Sequence, residues 1–280
     1  MALIWDEDTQ GEPPAFFTGR VDFTTKPWRG RPGRRSHRYL LDGEQVTGVT
    51  SILEDGMPTP KGLAIWKQNE QARLAVQERK FWQRMPEEEA VKHVASRTDE
   101  QLDQAANRGT EVHAWAEEFA ETGALPTEVP EHLEGRARAL EAFLTSWRPE
   151  FLLSEKTVFN GLHLYAGTLD AVMVLPGLGN TLVDFKTAKR VYSKNALQAA
   201  AYRYAGFWIA EDGTRVALPR IDSTAIVLLN DDGTFSVTPV RAGRAEFSVF
   251  LKVKAIAEFE KVGNQVIGRP LPAPTYPETE

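Results

Sequence analysis

Cysteine is absent from this chain of 280 residues. That excludes a disulfide framework, a thiolate nucleophile, a cysteine zinc site and a cysteine-held iron–sulfur cluster. It accords with a reducing cytoplasm, the expected location. Long apolar runs are lacking too. None approaches the roughly 20 residues of a membrane span, so no membrane partner is expected. The N-terminus Met1-Ala-Leu-Ile-Trp-Asp-Glu-Asp8 is acidic and has no signal-peptide pattern. No G-x-x-x-x-G-K-[ST] phosphate loop occurs, and there is no internal repeat or low-complexity tract.

An excess of basic charge is also missing, since the net charge is −6. The average hides a local exception. Between Lys26 and Arg38 lie six basic residues (Lys26, Arg29, Arg31, Arg34, Arg35, Arg38) and no acid, so the remainder carries −12. Local charge decides where a phosphate backbone can lie. Trp28 stands among these arginines, a composition that suits either a grip on a nucleic-acid strand or a solvated arm.

The chain divides by texture. Residues 1–36 read as an irregular basic arm, rich in proline and glycine. Residues 37–150 read as a hairpin and a helical region. His37–Leu41 and Gln45–Val49 flank Asp42-Gly43, a hairpin signal. Helices are expected over about 60–84, 86–97, 100–122 and 131–147, with Pro86 and three glutamates suiting a helix start. Strands follow at 151–159, 163–175 and 181–186, then an alanine-rich helix at 194–210. Further strands at 222–229 and 234–240 precede a helix at 243–262. Residues 151–265 therefore form an α/β core, a mixed central sheet with flanking helices. Residues 266–280, rich in proline, read as a disordered tail.

The chemistry concentrates in Gly167-Thr-Leu-Asp170, Asp184-Phe-Lys186 and Gln198-Ala-Ala-Ala-Tyr202. Thr181–Lys186 reads as a buried strand, where an unpaired charge is expensive. Alternation puts Asp184 and Lys186 on one face and Phe185 on the other. Read alone, the triplet is as often an ion pair at a strand edge. Antiparallel pairing about the turn at 176–180 brings Asp170 and Asp184 close, and two such carboxylates repel unless a cation lies between them. Gly167 and Thr168 suggest a locally open strand. Gln198 and Tyr202, one helical turn apart, can hydrogen-bond a phosphate or a base. His113 follows Gly109 on one helix face, where the glycine would admit a closely packed backbone. A lone helical histidine is more often packed or exposed than a ligand. Glu155, on the first strand of the trio, is either an additional acid or a lysine's partner.

The ordered set Gly109-x-x-x-His113, Gly167-x-x-Asp170, Asp184-x-Lys186, Gln198-x-x-x-Tyr202 resembles the PD-(D/E)XK nuclease superfamily, in its RecB-like exonuclease branch. The match covers about residues 105–210. Val49-Thr-Ser-Ile-Leu53 followed by Leu63-Ala-Ile-Trp66 also resembles the opening segment of phage and mitochondrial-type members. The resemblance implies a restriction-endonuclease-like core, with helix 100–122 contributing to it and the region 37–150 forming part of a DNA channel. It implies Mg²⁺ or Mn²⁺ held by Asp170, Asp184, the Phe185 carbonyl and His113. Lys186 would position the attacking water. Gln198 and Tyr202 would orient the site or contact DNA. Iron–sulfur relatives carry four cysteines that this chain lacks. The implied activity is metal-dependent DNA exonuclease action on single-stranded ends, in replication, recombination or repair. A structure-specific endonuclease and an inactive DNA-end-binding accessory protein remain as alternatives. A helicase or annealing protein working alongside would be a separate chain.

Overall fold

The structure is a computed structural model that describes residues 19–24, 36–210 and 212–271. Three strands open it: β1 (Gly19–Thr24), β2 (Ser36–Leu41) and β3 (Glu44–Gly48). Residues 1–36 are thus not wholly irregular, because β1 pairs antiparallel with β2. Most of the basic arm, including Trp28, lies outside the described residues, as does the tail from 272. Asp42 and Gly43 both take positive φ, as a tight two-residue turn demands.

Helices α1 (Val49–Gly56), α2 (Lys61–Gln77), α3 (Arg79–Trp82), α4 (Glu87–Thr122) and α5 (Glu134–Trp147) follow. Two expectations fail here. Val49 ends no strand but begins α1, whose Gly56 lies so close to α7 (Arg244–Val262) that a Cβ would meet the Val253 carbonyl oxygen at 2.2 Å. The helices expected at 86–97 and 100–122 are one helix of 36 residues. Ser96, which could have capped a new helix, instead donates its hydroxyl to the His93 carbonyl in the preceding turn. Neither glycine nor proline lies between Arg97 and Glu100, where the break was expected.

The core comprises β4 (Glu150–Asn160), β5 (Tyr165–Leu175), β6 (Gly179–Lys186), α6 (Ser193–Arg203), β7 (Phe207–Ile209), β8 (Arg215–Ala217), β9 (Ser223–Leu229), β10 (Phe235–Pro239) and α7. The helix expected to reach 210 stops at Arg203. The aromatic and β-branched run Phe207-Trp-Ile209 leaves it to pair with the free edge of β4. The result is a mixed sheet of ten strands, flanked by helices. Against one face lie α1, α6 and α7, packed on Val158, Tyr165, Leu169, Val172 and Leu182. Against the other lie α4 and α5, packed on Ala171, Met173, Val183 and Phe185. Among the described residues no helix is long and apolar enough to cross a membrane.

One detail of topology positions the site. β4 covers one edge of β5 along nearly its whole length. The other edge is shared: β3 pairs with Tyr165 and Ala166, and β6 begins at Ala171. Residues 167–170 therefore have no strand neighbour on that edge, so the sheet forks there. Past Val183, β6 turns from β5 and runs on beside β9 alone.

Candidate metal centre at the fork of the sheet

Asp170 sits in the fork. Its Oδ2 accepts the backbone amide of Phe185 at 2.7 Å, bridging the diverging strands. Strand alternation changes phase here. Leu169 faces α6 and α7, while Ala171 and Met173 face α4 and α5. Both cannot hold in a regular strand, so β5 turns over at Asp170.

The register of β4 on β5 (Ser154 opposite Ala171, Lys156 opposite Leu169) puts Glu155 across from Asp170. Glu155 has φ of +47°. That left-handed conformation costs a non-glycine residue about 1–2 kcal/mol. It also shifts the phase of β4 and brings the carboxylate beside Asp170.

His113 reaches this pair from α4. Its Nδ1 lies 3.5 Å from Glu155 Oε1 and 3.4 Å from Asp170 Oδ2. Its Nε2 lies 3.1 Å from the Phe185 carbonyl oxygen, as a donated N–H would. A hydrogen bond of that kind leaves Nδ1 as the available lone pair. One ligand atom each from His113, Glu155 and Asp170 fall within 4.8 Å of one another. Nothing in the spacing of Glu155 marks it as a ligand; its positive φ inside a strand is visible only in the fold. Gly109, in contrast, admits no close backbone, since a Cβ there would meet only Thr187 Oγ1 at an ordinary 3.5 Å.

Asp184 and Lys186 lie on the opposite face of β6 from Val183 and Phe185, as alternation requires. Lys186 Nζ donates to Asp184 Oδ1 at 2.6 Å and to the Phe185 carbonyl at 3.3 Å. Asp184 stands outside the His113–Glu155–Asp170 cluster. Its second oxygen, Oδ2, is buried without a hydrogen-bond partner among the described residues. The Phe185 carbonyl faces both His113 Nε2 and Lys186 Nζ.

Tyr202 is buried, and its ring fills the place of the missing Gly167 side chain. A Cβ on Gly167 would stand 2.6 Å from Tyr202 Cε1. Gln198 Nε2 lies 3.4 Å from the Tyr202 hydroxyl. The structure thus gathers His113, Asp170, Asp184, Phe185, Lys186, Gln198 and Tyr202 at the fork and adds Glu155.

The electrostatics are those of crowded carboxylates beside an imidazole and an ammonium. Burial pushes the His113 imidazolium down, but the Asp170 charge and the contacts with Asp170 and Glu155 outweigh it and lift His113 to about 10. Burial pushes Asp170 up, yet His113 and Lys186 hold it below the usual carboxylate range. Asp184 is pushed up to about 6 by burial; Lys186 opposes the rise and the Asp170 charge adds to it. Lys186 is disfavoured by burial but held charged by Asp184 and Asp170.

A hard or borderline divalent cation fits this donor set of carboxylate oxygens and one imidazole. The unpartnered Asp184 oxygen has the same implication, because buried carboxylate oxygens are rarely left unbonded. The cluster can therefore chelate a divalent metal, as a metal-dependent catalytic site requires. No protein-family model matches the sequence, and comparison with curated proteins found no significant match.

Proposed function

We propose that this protein is a Mg²⁺- or Mn²⁺-dependent DNA exonuclease acting on single-stranded ends, with a restriction-endonuclease-like core of the PD-(D/E)XK, RecB-like kind. The observation that supports this reading best is the meeting of Asp170, Asp184 and Lys186 where two strands diverge, with His113 and Glu155 beside them. A half-buried lysine beside carboxylates suits a reaction in which negative charge grows on a phosphate.

Asp170, Glu155 and His113 would hold the cation, with Asp184 turned toward it from β6. A bound divalent ion supplies a water of lowered pKa and neutralises charge on the scissile phosphate. The protein's own part is orientation. Lys186, charged and fixed by Asp184 and the Phe185 carbonyl, would hold the attacking water and balance charge at the phosphoryl oxygens. Asp170 fixes the lysine's strand through the Phe185 amide. Gln198 would hydrogen-bond the DNA backbone, while Tyr202, being buried, shapes the fork.

The test is digestion of end-labelled linear single-stranded DNA against a covalently closed circle, with Mg²⁺ or Mn²⁺, by wild type and Lys186→Ala. Cleavage of the linear strand alone, reduced about 10²-fold or more in the variant, is the expected result. Cutting of the circle would move the reading to an endonuclease. Bound but uncut DNA in every condition would favour an inactive DNA-end-binding protein.

A further inference from the structure

Next to the carboxylates along β4 and β5 runs a short row of hydroxyls. Thr157 and Thr168 are direct cross-strand partners on β4 and β5, and their Oγ1 atoms are 3.4 Å apart. Each lies two residues from the acid on its own strand, Glu155 or Asp170. The Tyr39 hydroxyl completes the row, 3.3 Å from Thr168 Oγ1. Tyr39 belongs to β2, which is not a neighbour of β5. It meets β5 where that edge of the strand is open, just past the short pairing of β3 with residues 165–166.

The rest of Tyr39 is fixed. The side chain is buried, packs edge-on against Phe159 at 6.5 Å between ring centroids, and lies against Gly48. Its hydroxyl is thus held by an anchored ring. It is also near the acids: burial raises the phenol most, but the Glu155 charge contributes.

We infer that Tyr39 is a positioning residue of the site: through Thr168 it pins the partnerless stretch of β5 that carries Asp170, coupling the N-terminal hairpin to the metal cluster. Backbone that lacks a strand on one side needs other restraints to keep a ligand in place. Gly167 is clamped from the α6 face by Tyr202. Thr168, the next residue, is clamped from the other face by Tyr39 and Thr157. Asp170 follows two residues later. The O–O separations of 3.3 and 3.4 Å exceed the usual 2.7–2.8 Å of hydroxyl bonds. The row is a set of locating contacts with room to tighten when a cation draws Glu155 and Asp170 together.

The inference rests on the metal-site reading above, and its test separates the two. Mn²⁺ affinity is measured by electron paramagnetic resonance for wild type, Tyr39→Phe, Thr168→Val, the double variant and Thr168→Ser. Cleavage of linear single-stranded DNA is followed alongside. Tyr39→Phe keeps the ring, so its melting temperature should stay near wild type. Loss of a supporting hydroxyl should weaken Mn²⁺ binding roughly tenfold, as removal of outer-shell partners does, and lower kcat with KM for DNA unchanged. The double variant should be no worse than Thr168→Val alone, because the two groups act as one unit, and Thr168→Ser should rescue. Unchanged Mn²⁺ affinity in Tyr39→Phe, or losses that simply add in the double variant, would overturn the inference. A wild type that binds Mn²⁺ but leaves DNA intact would sink the nuclease reading while the Mn²⁺ series still judges Tyr39.

Discussion

The carboxylate of Asp170 takes the amide of Phe185 at 2.7 Å, and this bond spans the fork between β5 and β6. One oxygen therefore serves two purposes, holding the sheet together and facing His113. Asp170→Asn keeps a carbonyl acceptor for the Phe185 amide and should fold normally while losing divalent-cation binding. Asp170→Ala removes the acceptor too. It leaves a buried N–H and the imidazolium without their partner, and should cost about 1–3 kcal/mol in addition. Urea unfolding with chelator, beside Mn²⁺ titration, separates the two effects. Equal stability of the two variants would mean that the bridge carries no load.

His113 makes the metal-free protein sensitive to alkali. Its pKa is raised from an unfolded value of 6.5 to about 10. The folded state thus holds a proton that the unfolded chain releases. That stability is fully present below pH 6.5 and is lost as pH rises through about 10. The melting temperature in chelator should fall between pH 7 and 10, and His113→Asn should flatten the slope. Added Mn²⁺ should reverse it, since a metal ligated through Nδ1 competes with the proton and binds better as pH rises.

Gly167→Ala tests the packing of α6 on the open strand. The new methyl would lie 2.6 Å from the Tyr202 ring, and both elements are fixed by the core around them. Overpacking of this kind costs about 1–3 kcal/mol. The displaced ring should also lower activity by more than the loss of folded protein explains. Thermal melts and specific activity per folded molecule give the answer, and a silent substitution would show that the ring moves freely.

Glu155 pays in backbone strain for its position. Glycine tolerates φ of +47° without that cost, although it loses more chain entropy on folding. Glu155→Gly should leave the metal-free protein as stable as wild type or up to about 1 kcal/mol more stable. Its Mn²⁺ affinity should fall at least tenfold. Glu155→Gln should lose affinity without the gain. A stability loss in the glycine variant would mean that the carboxylate serves the fold rather than a ligand.

Much of the site could be read from the chain because its residues sit at strand and helix positions with a fixed period. Asp184, Phe185 and Lys186 alternate as a strand must, and Gln198 and Tyr202 share a helix face. The three core strands were legible for the same reason, being long and strongly apolar. What escaped was set by contacts distant in sequence. The eight-residue α1 is too short for its periodicity to stand out, and its close seat on α7 decides its form. β7 exists because β4 has a free edge to offer. The bend at Glu155 and the phase change at Asp170 are responses of two paired strands to each other. No local pattern reports such an event.

The unbroken course of α4 has a mechanical consequence. Its 36 residues form a rod about 54 Å long at 1.5 Å per residue. Near one end His93 and Arg97 grip Glu78, at the junction of α2 and α3. Twenty residues on, about 30 Å away, the same rod presents His113 to Asp170. A helix that stayed straight over that span would carry a displacement of the outlying helices to the imidazole.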